Sequence, residues 1–94
     1  MKHANKGLDL AKKLGISPHR GIEAVIKAQL ISAIIREVEA KELTHVELSK
    51  KSKLPRSAVT GILSGSLQKV TIDRVLKLVE AVGLIPEIKL RRAA

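Results

Sequence analysis

From Leu43 onward the apolar residues fall in short runs at three- and four-residue spacing, each opened by a hydroxyl or a proline and closed by a polar break or a glycine. Such punctuation builds a packed set of short helices and cannot sustain the unbroken heptads of a coiled coil. Thr44 is placed to cap a helix running from His45 to about Lys51, with Glu47 at the fourth position of a capping box. A second helix begins near Pro55 and Arg56 and reaches Ser64, where Gly65 ends it. Ser66 to Val70 then connects to a segment from Ile72 to Val82, capped by Thr71 and stopped by Gly83. On it Ile72, Val75, Leu76, Val79 and Val82 share one face.

Upstream the period is longer. Ser17 and Pro18 form a helix start, and Ile22, Val25, Ile26, Leu30, Ile31, Ile34, Ile35 and Val38 make the stripe of one long amphipathic helix to about Lys41. Arg36, Glu37, Glu39, Lys41 and Glu42 form its solvated face. Ahead of it, Leu8, Leu10, Ala11 and Leu14 predict a short helix closed by Gly15.

After Gly83 the pattern becomes two-fold. Ile88 and Leu90 alternate with charged Glu87, Lys89 and Arg91, which predicts one short strand, and Pro86 restricts it to an edge. A single strand in a helical domain leaves its backbone groups unpaired unless it meets its own copy across a two-fold axis. Leu84, Ile85, Ile88 and Leu90 are therefore expected at a dimer contact.

Size and charge bound the rest. A chain of 94 residues without cysteine holds one small core and no disulfide, and a core this small gains from being shared. Lys and Arg number 18 against 9 Asp and Glu, a net charge of +9 that attracts polyanions. There is no Phe, Tyr or Trp, which excludes the nucleic-acid readers that stack bases on aromatic rings but leaves duplex readers open. The expected organisation is an N-terminal arm over 1–17, a helical domain over 18–83 and a dimerisation strand and tail over 84–94. No apolar run approaches a membrane span and no secretory signal opens the chain, so a cytoplasmic, nucleoid-associated protein is expected. His3, His19 and His45 lack ligand spacing, so no metal or cofactor is expected. No nucleophile has a recognisable base and no glycine-rich phosphate loop is present, so no catalytic residue is assigned and no enzyme is expected.

The segment Leu43–Gly65, L-T-H-V-E-L-S-K-K-S-K-L-P-R-S-A-V-T-G-I-L-S-G, resembles the helix-turn-helix of the Cro / lambda-repressor (XRE-type) family, whose pattern is roughly L-T-Q-x-E-L-A-x-x-x-G-[VI]-S-x-x-x-[VI]-S-x-[LI]-x-x-G. The match runs without a gap through Leu43, Thr44, Glu47, Leu48, Leu54, Val59, Ile62 and Gly65. Four positions depart from it. His45 replaces Gln, Ser49 replaces a small Ala at the helix crossing, Lys53 replaces the turn Gly, and Pro55 replaces the Ser cap. Lys53 in a left-handed turn costs about 1 kcal/mol relative to Gly. Pro55 offers no capping oxygen, which leaves Ser52 or Ser57 to compensate.

The resemblance implies an all-α lambda-repressor-like bundle of about five helices plus the C-terminal strand, with a recognition helix at about 55–64 that enters a major groove. By position, Arg56, Ser57 and Thr60 would face base edges, with Gly61 close to the DNA surface. Arg56 carries a fork suited to guanine O6 and N7. His45, Lys50, Lys53, Ser64 and Lys69 are the corresponding phosphate contacts, which set position without reading sequence. Between Thr44 and Thr71, Lys50, Lys51, Lys53, Arg56 and Lys69 stand against Glu47 alone, though a solvated lysine face would look similar.

The flanks sharpen the resemblance. L-G-I-S-P, I-E-A-V-I-K-A-Q-L-I-S-A-I-I and V-T-I-D-R-V-L-K-L-V-E-A-V-G-L-I-P-E-I-K-L are similar to short HigA-type antitoxins, with a terminal strand like that of HipB-type antitoxins, over about residues 8 to 90. This implies a homodimeric repressor on a palindromic operator that also neutralises a small toxin protein of the mRNA-endonuclease type, with residues 1 to 29 as the toxin-facing region. A solitary phage-type repressor and a non-specific basic nucleic-acid-binding protein are the alternatives.

Overall fold

The computed structural model describes residues 18–66 and 70–92, and among them there are four helices: α1 (Pro18–Lys41), α2 (His45–Ser52), α3 (Arg56–Leu63) and α4 (Ile72–Ala81). The expected helix over Leu8–Leu14 and the Ser17 cap lie outside the described residues. So the expectation of about five helices meets four here, all helical in class.

Each helix boundary has a local cause. Thr44 Oγ1 accepts from the Glu47 backbone N–H at 3.1 Å, while Glu47 Oε1 accepts from the Thr44 backbone N–H at 3.3 Å, closing the capping box that opens α2. Thr71 Oγ1 accepts from the Arg74 backbone N–H at 3.3 Å and opens α4. At the other end of α4, Gly83 takes φ +84° and its N–H reaches the Glu80 carbonyl, while the Leu84 N–H reaches the Val79 carbonyl. These paired bonds satisfy carbonyls that the last turn leaves without a partner. α3 ends in the same way at Gly65, φ +83°, with Gly65 N–H on Ile62 and Ser66 N–H on Gly61. α1 ends so too, but its left-handed residue is Glu42, φ +52°, with Leu43 N–H on Val38.

The core forms where the four helices meet. Ile31 and Ile34 of α1, Leu48 of α2, Leu54 of the turn, Val59 and Ile62 of α3, and Val75, Leu78, Val79 and Val82 of α4 are buried together. α1 packs on α3 and α4, and α2 packs on α3 and α4. All of this is aliphatic, as a chain without aromatics requires.

Three expectations change. The α1 stripe is buried only toward its C-terminal half: Ile22 and Ile26 are 49% and 40% exposed. Helices α2, α3 and α4 have 8, 8 and 10 residues, about 12–15 Å each, and cannot cover the roughly 36 Å of a 24-residue helix. On α4 the buried set is Val75, Leu78, Val79 and Val82, and Leu76 faces outward. Two overlapping 3.6-period stripes run along that segment, and packing against α1 selects the one centred on Leu78. Last, residues 84–92 form neither helix nor strand. The expected strand does not form in a single chain, where the other described residues are helices and turns that offer no sheet edge to pair with.

Two ion pairs brace α1: Glu23 with Lys27 at 3.0 Å and Glu37 with Lys41 at 3.2 Å. The hydrogen bond from Lys27, with its charge, holds the Glu23 carboxyl below the ordinary carboxylate range. No helix among the described residues is long and apolar enough to cross a membrane.

Candidate nucleic-acid interface

The two helices that carry the motif are held by their inward faces, so their outward faces are defined. Leu48 from α2 and Val59 and Ile62 from α3 are buried, with Leu54 buried in the turn between them. Their partners one residue along point away. Arg56, Ser57 and Thr60 of α3 are exposed, and so are Lys50, Lys51 and Lys53 at the end of α2 and in the turn.

The turn is built without the glycine and the capping serine that such turns use. Lys53 occupies the left-handed position itself, at φ +61° and ψ +21°. Two serines then satisfy the Leu54 peptide: Ser49 Oγ donates to the Leu54 carbonyl at 2.6 Å, and the buried Ser52 Oγ accepts from the Leu54 N–H at 3.2 Å. Ser49 is thus a working part of the turn and not a neutral substitute for alanine. Ser52 does not cap α3, since its hydroxyl is engaged with Leu54. Pro55 stands at the cap with no side-chain bond. Its φ of −58° suits the position, and its carbonyl accepts from Ala58 and Val59 N–H at 3.0 and 3.2 Å. Helix α3, expected at about 55–64, therefore runs Arg56–Leu63, with Pro55 as its cap and not inside its first turn.

Arg56 is the first residue of α3, at the helix end where backbone N–H groups and the helix dipole favour an anion. The ion pairs among the described residues are Glu23–Lys27, Glu37–Lys41 and Asp73–Lys77, and none involves Lys50, Lys51, Lys53 or Arg56. The local acid, Glu47, is turned back into its capping box. Among the described residues, then, no acid forms an ion pair with this cationic face.

Two other expected contacts are engaged inside the chain. His45 Nδ1 lies 3.0 Å from Thr60 Oγ1, joining the first turn of α2 to the middle of α3. Ser64 Oγ donates to the Gly61 carbonyl at 2.8 Å, within its own helix. Gly61 leaves open space: a Cβ built on it would meet nothing within 4 Å. Lys69 lies outside the described residues. Of the expected dimer residues, Ile85, Ile88 and Leu90 are 89%, 82% and 92% exposed, whereas Leu84 packs on the chain's own core.

Other chemistry has little to build on. No group of three or more His, Cys, Asp or Glu able to hold a metal occurs among the described residues. A shallow groove of about 330 Å³ between α1 and Gly65 is lined, among the described residues, by Ala28, Ile31, Ser32, Ile35 and Arg36.

The His45–Thr60 bond and the two serine bonds escaped the sequence reading, though the joint departures at His45, Ser49, Lys53 and Pro55 were a signal that the turn is wired differently. No curated protein and no solved structure matches the chain. A family model described as a helix-turn-helix domain matches residues 10–91, spanning all four helices. With the gap-free motif at Leu43–Gly65 and its exposed cationic face, this places the chain in the helix-turn-helix domain family.

Proposed function

We propose that this chain is a sequence-specific, double-stranded DNA-binding transcriptional repressor that works as a homodimer. The observation that carries the reading is the outward face of α2 and α3, where Arg56, Ser57 and Thr60 are exposed beside lysines that form no ion pair among the described residues. In this reading α3 enters the major groove. Arg56, Ser57 and Thr60 meet base edges, and Gly61 lets the helix approach closely. His45, Lys50 and Lys53 meet phosphates. Ser64 exchanges its bond to Gly61 for a phosphate oxygen, and Lys69 extends the cationic rim.

The dimer rests on the tail. Ile85, Ile88 and Leu90 are exposed apolar side chains at the end of a small domain, and pairing with a second copy would cover them and complete their backbone hydrogen bonds. Two recognition helices so related would read half-sites about 34 Å apart on a palindromic operator. The biological setting best supported by the flanking resemblance is an antitoxin of a HigBA-type operon, repressing its own promoter and binding a small mRNA-endonuclease toxin.

The test is selection of DNA fragments from the chain's own upstream region by the purified full-length protein, followed by sequencing. Enrichment of one inverted repeat, with affinity falling steeply as salt rises, supports the repressor. Equal recovery of random fragments sinks it in favour of a non-specific coat. Truncation after Leu84, which keeps the cap of α4, should give monomers by light scattering. A truncated dimer would refute tail pairing. Co-purification with the product of an adjacent small reading frame tests the antitoxin role.

A further inference from the structure

In the free chain Thr60 is not an independent reader. A threonine in a helix ordinarily turns its hydroxyl onto a carbonyl of its own preceding turn. Ser64, one turn later, does the equivalent with Gly61, at 2.8 Å. Thr60 differs, because its Oγ1 lies 3.0 Å from Nδ1 of His45 on a different helix.

An imidazole nitrogen can only donate or only accept in a given tautomer, and the two nitrogens of the neutral ring take opposite roles. His45 is the first residue of α2, the helix end that attracts a phosphate. A phosphate oxygen accepts and never donates, so a neutral ring that meets one through Nε2 carries its single proton there. Nδ1 is then the acceptor and Thr60 must donate to it. With its proton committed, the Thr60 oxygen faces the groove as an acceptor only.

We propose that His45 is a positioning residue for base reading. It fixes the hydrogen-bonding role of Thr60, so that the base facing Thr60 is chosen for an exocyclic amino group, adenine N6 or cytosine N4. The proposal rests on α3 being the DNA-reading helix, and it gives His45 a role beyond that of a phosphate contact.

The experiment is site selection from a randomised duplex library near pH 8, using the full chain and the variants His45→Ala, Thr60→Val and both together. Thr60→Val keeps the shape of an exposed side chain, and retained helical circular dichroism checks each fold. The base facing Thr60 is the one whose enrichment Thr60→Val flattens, and in the unaltered chain it should be adenine or cytosine. His45→Ala should flatten the same position by about two- to tenfold, the range of one net hydrogen bond. In the Thr60→Val background, His45→Ala should change that position no further, while overall affinity still falls through the lost phosphate contact. Guanine or thymine at that position, an unchanged preference in His45→Ala, or an equal change in both backgrounds overturns the coupling while leaving DNA reading by α3 intact. If the unaltered chain enriches no sequence, the DNA-reading proposal fails, and this one with it.

Discussion

The ammonium of Lys41 donates to the carbonyl of Val82 at 2.7 Å, fastening the last turn of α1 to the last turn of α4 across 41 positions of sequence. The same group pairs with Glu37 at 3.2 Å and sits over Gly83, where a Cβ would come within 3.2 Å of it. A cation at a helix C-terminus is favoured by both the exposed carbonyls and the dipole.

Lys41→Met keeps the aliphatic stem and removes the charge. It should lower stability by about 1 kcal/mol, a fall of about 4–8 °C in Tm for a domain of this size, read by thermal or urea unfolding. No change in either would mean that Val82 is as well served by water.

Among the described residues, two other than glycine hold left-handed backbone, Glu42 at φ +52° and Lys53 at φ +61°. Glu42→Gly and Lys53→Gly should each stabilise the fold by about 0.5–1 kcal/mol, the strain relieved less the added freedom of the unfolded chain. The two should part in DNA binding. If Lys53 meets a phosphate as proposed, Lys53→Gly should reduce the salt slope by about 1, whereas Glu42→Gly should not weaken binding.

Gly61 stands in the interior of α3 with nothing within 4 Å of where a Cβ would be. In the free chain, Gly61→Ala should raise stability by about 0.5–1 kcal/mol through helix propensity alone. If the space belongs to DNA, the same variant should bind its operator more weakly. Unchanged affinity would remove Gly61 from the contact surface.

Substitutions at Arg56 and Lys50 test the proposed division between base reading and phosphate anchoring. Arg56→Ala should cost about 1–3 kcal/mol of discrimination at one base pair and relax the selected sequence there. Lys50→Ala should weaken every sequence alike and lower the salt slope. The reverse outcome in a competition shift assay would move the reader elsewhere on α3.

The parts of this fold that were legible in the sequence are those whose partner lies within about four residues. Thr44 with Glu47, Thr71 with Arg74, and the glycines at 65 and 83 are local solutions to backbone groups that a helix end leaves unpaired, and their residue types announce them. Lys53 was legible for the same reason, as a side chain standing where glycine is favoured. Tertiary choices were not. Periodicity along α4 admits Leu76 or Leu78 as the inner residue, and only the position of α1 decides between them. Periodicity along α1 likewise shows an apolar stripe but not how far the shorter helices reach along it. The site divides in the same way. The motif set Arg56, Ser57 and Thr60 on an exposed helix face, while the bond from His45 to Thr60 joins positions 15 apart and follows from how two helices cross.

The serine bonds around Leu54 make residues 49 to 55 structurally interdependent. With Lys53 in place of the usual glycine and Pro55 in place of the usual cap, the Leu54 peptide relies on Ser49 for its carbonyl and on Ser52 for its N–H. A recognition helix grafted from a relative should therefore be exchangeable from Arg56 onward with little penalty. A graft that also replaced Ser49 or Ser52 while keeping Lys53 and Pro55 would leave a buried peptide group unsatisfied and cost about 1–3 kcal/mol. If α3 reads DNA as proposed, the portable unit of specificity begins after the turn, and the turn itself travels only whole.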